Sequence, residues 1–128
     1  MVIRPGRHSR EKDMANWTIY HNPRCSKSRE ALQRLRDEGI EPKVVEYLKD
    51  VPSERELEML VMKLGVKPEE LVRKSEQLYK DRFKGLRFND HEWVRVMHEH
   101  PVLIERPIIV KGHKAVIGRP TERIEELL

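Results

Sequence analysis

Cysteine is nearly missing from this chain: among 128 residues there is one, Cys25. No internal disulfide can form, and a dithiol redox centre of the Cys-x-x-Cys type is excluded because Ser28 fills the second position. A single unpaired thiol fits a reducing cytoplasm. The chain has neither a signal-peptide pattern nor an apolar run long enough to span a membrane. A Gly-rich phosphate loop is absent, and the pair Glu69-Glu70 and the acidic end with Glu122, Glu125 and Glu126 read as helix-surface charge, without the arrangement of a paired acid/base site. An arginine six residues after the cysteine, which a tyrosine-phosphatase anion cradle requires, is replaced by Ala31.

The length suits one domain with one sizeable core. Net charge is +4, with 26 basic and 22 acidic residues interleaved over most of the length. Residues 1–16 differ: Arg4, Arg7, Arg10 and Lys12 sit among Pro5, Gly6 and Ser9 with no apolar period, as expected of a disordered basic arm, a tag or a mis-assigned start. Residues 17–128 are expected to form the single domain. Much of the excess positive charge lies in the arm, so no specific nucleic-acid binding is expected.

Trp17–Tyr20 is a short β-prone run closed by Asn22-Pro23, a turn signal that bars helix before the proline. From Ser26 to Glu38, Ala31, Leu32 and Leu35 line one face, and Gly39 stops the helix. Lys43–Leu48 reads as a second strand, parallel to the first because a helical crossover separates them. Ser53 and Glu56 form a capping box ahead of Leu57, Leu60, Val61 and Leu64 at helical spacing. Pro68-Glu69-Glu70 predicts another short helix carrying Leu71, Val72 and Arg73, and Asn89 with Glu92 caps one more. Ile108–Val110 and Ala115–Ile117, joined by Lys111-Gly112-His113, predict an antiparallel hairpin, with a last helix over Thr121–Leu128. The order gives an α/β domain, a mixed sheet with flanking helices and a helical insertion.

Cys25 falls between the first strand and the first helix. Unpaired N–H groups and the partial positive charge of a helix start favour a thiolate, and Arg24, Lys27, Arg29 and His21 add positive charge nearby. An ordinary thiol is only about 3% ionised at pH 7, so this placement reads as a reactive nucleophile. With no second cysteine, its disulfides must be resolved by an outside thiol. Ser28, three residues on, can aim its hydroxyl and its N–H at the sulfur from the first turn. His21 at the strand end has both a polar-loop and a thiolate-supporting reading.

Three arginines stand out. Arg106 and Arg119 each precede a proline at the flanks of the hairpin, where proline stiffens the chain that aims them, and Arg73 follows the Pro68 segment. Guanidinium forks bind tetrahedral oxyanions, and several of them beside a helix start would form an anion pocket next to the thiolate.

The segment His21-Asn22-Pro23-Arg24-Cys25-Ser26-Lys27-Ser28-Arg29, together with Arg73, His100-Pro101, Glu105–Val110 and Gly118–Glu122, resembles the glutaredoxin-coupled arsenate reductase family. The resemblance implies a thioredoxin-like fold and reduction of arsenate to arsenite. Cys25 would attack arsenate, glutathione as co-substrate would attack the adduct, and glutaredoxin would release the mixed disulfide. It further implies that Arg73, Arg106 and Arg119 bind the oxyanion, while His21 and Ser28 support the thiolate. No bound cofactor and no metal are expected, and a monomer is. His91, His98, His100 and His113 lack the cysteine or carboxylate company of a transition-metal site. Two rivals share the fold: an Spx-type regulator that binds RNA polymerase, and a monothiol glutaredoxin-like transferase. The first typically switches through Cys-x-x-Cys, which is absent here, and the second does not call for three arginines.

Overall fold

Residues 16–128 are described by a computed structural model. The arm expected over residues 1–16 therefore lies outside the described residues except for Asn16, whose carbonyl accepts the Gly112 N–H at 3.1 Å. The described chain falls into two compact units, the first built from residues up to Val45 and from Arg106–Leu128, the second from Glu46–Glu105.

In the first unit, β1 (Trp17–His21) alternates buried and half-buried positions, so Trp17, Ile19 and His21 share one face. Helix α1 (Ser26–Asp37) buries Ser28, Ala31, Leu32 and Leu35, the i, i+3, i+4, i+7 stripe of a half-covered helix. Trp17 and Ile19 pack with Ala31, Leu32 and Leu35, joined by Ile109, Val116, Ile124 and Leu127. Burying one such leucine stabilises the fold by roughly 1.5–3 kcal/mol. After α1 the chain turns at Gly39, whose φ of +80° suits a residue without Cβ, and forms β2 (Lys43–Glu46).

The strands β3 (Ile108–Lys111) and β4 (Lys114–Ile117) complete a mixed four-stranded sheet in the order β2-β1-β3-β4. β3 runs antiparallel to both β1 and β4, with Tyr20 opposite Ile108 and Ile108 opposite Ile117. The hairpin closes on the two residues Gly112 and His113, Gly112 taking a φ of +58°. The last segment, Thr121–Leu127, is a 3-10 helix that adds Ile124 and Leu127 to the core.

The second unit is helical. Helix α2 (Glu54–Leu64) starts at the expected box: Ser53 Oγ accepts the Glu56 N–H at 3.1 Å, and it ends at Gly65 in the left-handed region. Helix α4 (Asp90–Glu99) starts in the same way, Asn89 Oδ1 accepting the Glu92 N–H at 2.8 Å. Between them lies α3 (Gln77–Arg82), with no buried residue of its own. Neighbouring rings hold this region: Tyr79 and Phe88 lie 6.4 and 5.0 Å from Trp93, and Phe83 lies 5.6 Å from His100.

The terminal helix forms where expected, wound as a 3-10 helix. Two expectations change at this level. The second strand ends at Glu46 instead of Leu48. Arg73 does not ride on a helix: Pro68–Leu71 is a single 3-10 turn, after which Val72 is extended and bridges Ile104. The Glu105 N–H donates to the Leu71 carbonyl at 2.9 Å and the Arg73 N–H to that of Leu103 at 2.6 Å, so backbone pairing with residues 103–105 takes over where the helix would continue.

Candidate active site

The end of β1 is built as a tight frame. The Cys25 N–H donates to the Asn22 carbonyl at 3.0 Å and the Arg24 N–H to Asn22 Oδ1 at 3.0 Å, an Asx-stabilised turn around Pro23. Arg29 Nη1 ties the turn to α1 by donating to the Pro23 carbonyl at 2.9 Å. Asn22 thus shapes the loop that presents the thiol.

His21 lies on the β1 face that α1 covers, and Ser28 is the first residue of the buried α1 stripe. The two meet: His21 Nδ1 is 2.6 Å from Ser28 Oγ, which also accepts the Asn22 N–H at 3.0 Å. A hydroxyl with no solvent exposure is thereby satisfied, as a buried polar group must be. Strand face and helix stripe converge on this pair directly beneath the turn holding Cys25.

Cys25 is the N-cap residue of α1, extended (φ −96°, ψ 122°) and half-buried, with no acidic residue in the first turn of the helix. Burial pushes its thiol up. The Ser28 backbone N–H, the Arg106 side chain and the Lys27 backbone N–H together outweigh that cost, so the thiol ionises below its ordinary value of 9.0. These are the unpaired amides of a helix start at work, although none closes a side-chain cap hydrogen bond in the geometric sense.

Arg106 reaches the sulfur because of sheet register. With Tyr20 opposite Ile108, the residues ahead of β3 run alongside the chain leaving β1, and the half-buried Arg106 side chain hydrogen-bonds Cys25. Arg119 leaves the same end of the sheet on β4. The Gly118 N–H donates to the Pro107 carbonyl at 2.8 Å, one step beyond the Ile108–Ile117 pair, which sets Arg106 and Arg119 on neighbouring segments just outside β3 and β4. Both Arg-Pro bonds are cis. The Arg119 guanidinium is half-buried and carries no ion pair among the described residues.

Arg73 belongs to the second unit, where Glu76 lies 3.4 Å from its Nε and Glu105 3.8 Å from its Nη1. Neither contact has hydrogen-bond geometry, and both nitrogens are buried without a hydrogen-bond partner. Sequence reasoning gives no role to Glu76, nor to Glu105 and Gly118, although the last two open motif segments. Glu76 at i+3 from Arg73 was the one readable signal among them. Of the four histidines weighed for metal, His91 instead faces Glu58 at 3.7 Å and Glu54 at 3.9 Å. Among the described residues no group of three or more His, Cys, Asp or Glu side chains is placed to hold a metal ion, nor is any helix long and apolar enough to cross a membrane.

A lone cysteine capping the first helix of a mixed βαβ sheet, beside an arginine, defines a thioredoxin-like thiol protein. The chain belongs to the ArsC family, whose sequence model matches residues 20–127. It is 43% identical over 112 residues to an arsenate reductase of Haemophilus influenzae, covering 86% of this chain and 97% of that one. An uncharacterized Escherichia coli protein, YfgD, is 43% identical over the same length, covering 86% of this chain and 94% of its own. Among solved structures, an arsenate reductase from Vibrio cholerae superposes with a TM-score of 0.84 at 45% identity, covering 88% of this chain and 97% of that one.

Proposed function

We propose that this protein is an arsenate reductase of the glutaredoxin-coupled type, working in the cytoplasm as a monomer with no bound cofactor. The observation that carries the reading is the Cys25 thiol, held at a helix start with the Arg106 side chain on its sulfur and ionising below its ordinary range. Relatives named as arsenate reductases support arsenate as the substrate.

In the proposed cycle the Cys25 thiolate attacks the arsenic(V) centre and displaces one oxygen, which leaves as water after protonation. The thiolate of glutathione then attacks the Cys25 sulfur. A Cys25–glutathione disulfide forms, the S–As bond breaks, and its electron pair stays with arsenic, which departs as arsenite. A glutaredoxin thiolate attacks the glutathione sulfur and returns Cys25 to its thiolate. Two electrons pass from two thiols to arsenic. The external reductant follows from the composition, since no second cysteine exists to resolve the first.

Arg106 stabilises the attacking thiolate and then the anionic adduct, with Arg119 beside it as a second guanidinium for the oxyanion oxygens. By the family motif alone, Arg73 takes the third oxyanion role. Ser28 and His21 support the thiolate by fixing the first turn of α1, whose Ser28 N–H faces the sulfur.

The test is arsenate-dependent oxidation of NADPH in the presence of glutathione, glutaredoxin and glutathione reductase. Activity is expected in the parent protein and should vanish in Cys25→Ser. A parent protein inactive with arsenate, or one that turns over without glutathione, refutes the reading, and parallel runs with competing oxyanions identify the preferred anion.

A further inference from the structure

Gly118 stands between the two arginine-bearing chain segments of the first unit, and a side chain there would have to displace the end of the Ile109 side chain. A Cβ built there would lie 2.6 Å from Ile109 Cδ1, 3.2 Å from Pro107 Cγ and 3.8 Å from Ala31 Cβ. The first distance is far inside van der Waals contact. Ile109 is fully buried, packed with Val116 and Ala31 in the core, so its terminal methyl has little slack in which to retreat. The Pro107 ring, closed onto the backbone, can yield only by a change of pucker. Gly118 has no left-handed φ, so the requirement here is space for close approach and not backbone conformation.

The close approach permits one hydrogen bond, from the Gly118 N–H to the Pro107 carbonyl at 2.8 Å. Pro107 is bonded to Arg106, and Gly118 to Arg119. The bond therefore fixes the spacing of the two chain segments at the point where each one's next residue is an arginine.

We infer that Gly118 is a positioning residue for the thiol site: the missing side chain lets β4 dock on Pro107, and that docking aims Arg106 at Cys25 and sets Arg119 beside it. The inference rests on the oxyanion reading only for Arg119. For Arg106 it concerns the thiol alone, whatever the substrate.

Gly118→Ala tests it. The added methyl group presses Ile109 and Pro107 apart from β4 and draws Arg106 off the sulfur. The pH midpoint of Cys25 ionisation, read by thiolate absorbance near 240 nm or by the rate of iodoacetamide alkylation, should rise by about 0.5–1 unit. In the coupled assay kcat/KM for arsenate should fall about 10- to 100-fold. The clash is relieved by Ile109→Val, which deletes the Cδ1 atom, so the G118A/I109V double variant should recover most of both losses.

A folded G118A with the parent midpoint overturns the inference, as does a double variant no better than G118A. If G118A does not fold, the double variant is titrated against I109V: the Pro107 ring still stands 3.2 Å from the new methyl group and preserves a smaller rise in the same direction. Equal midpoints there overturn it. The titration needs no substrate, so a failure of the arsenate reading leaves this test intact.

Discussion

Ser28 Oγ and His21 Nδ1 lie 2.6 Å apart, one at the top of the buried stripe of α1 and the other at the last position of the buried face of β1. The same hydroxyl accepts the Asn22 N–H. One buried oxygen therefore ties together the strand, the turn and the helix that carry the thiol.

Replacing Ser28 with alanine removes the hydroxyl that meets the buried His21 ring and the half-buried Asn22 N–H. The cost should be about 1–3 kcal/mol, seen as a lower urea midpoint at unchanged slope. The loosened turn should also slow alkylation of Cys25 at neutral pH.

Arg106→Ala removes the guanidinium from the sulfur, so the midpoint of Cys25 ionisation should climb towards the ordinary thiol value. Arg106→Lys keeps the charge but not the fork, and its midpoint should fall between those of the parent and the alanine variant. Thiolate absorbance against pH measures all three.

The depressed thiol also bears on stability, with a definite sign. The folded protein releases the Cys25 proton more readily than the unfolded chain, whose ordinary value is 9.0. Ionisation therefore stabilises the fold fully above that value, and the contribution is lost as pH falls through the lower folded value. The stability difference between the parent and Cys25→Ser should shrink on acidification through that window. Urea titrations at a series of pH values follow it.

In the second unit, Ser53→Ala and Asn89→Ala each remove the side-chain acceptor of a capping box. Each should cost about 1 kcal/mol. On α2, Leu60→Ala should cost about 2–5 kcal/mol, while its near neighbour Met62, 79% exposed, should tolerate glutamine within about 0.5 kcal/mol. Chemical denaturation distinguishes the two faces of that helix.

Elements with their own apolar period or cap are legible in the sequence alone. Ala31, Leu32 and Leu35 announced α1, Ser53 with Glu56 announced α2, and Asn22-Pro23 marked where β1 must end. The failures share a cause. Gln77–Arg82 buries nothing itself and relies on aromatic rings brought from Phe88 and Trp93, which no local pattern reports. Arg73 was drawn onto a helix by Pro68-Glu69-Glu70, yet its backbone pairs with a segment some thirty residues away.

At the site, a cysteine before a helix was readable, and so was the pair of Arg-Pro steps. Contact of Arg106 with Cys25 was not, because it depends on strand register. Nor was the need for Gly118, which arises from the position of a single methyl group on Ile109.

The two tryptophans of the chain are divided evenly: Trp17 is buried in the first unit, within 5.3 Å of the Lys111 ammonium, and Trp93 is buried in the second among Tyr79 and Phe88. Each unit thus carries a private fluorophore. With excitation at about 295 nm, where tyrosine hardly absorbs, a Trp93→Phe protein reports only on the sheet that holds the thiol and a Trp17→Phe protein only on the helical second unit, so the melting of either half can be watched in an otherwise complete chain.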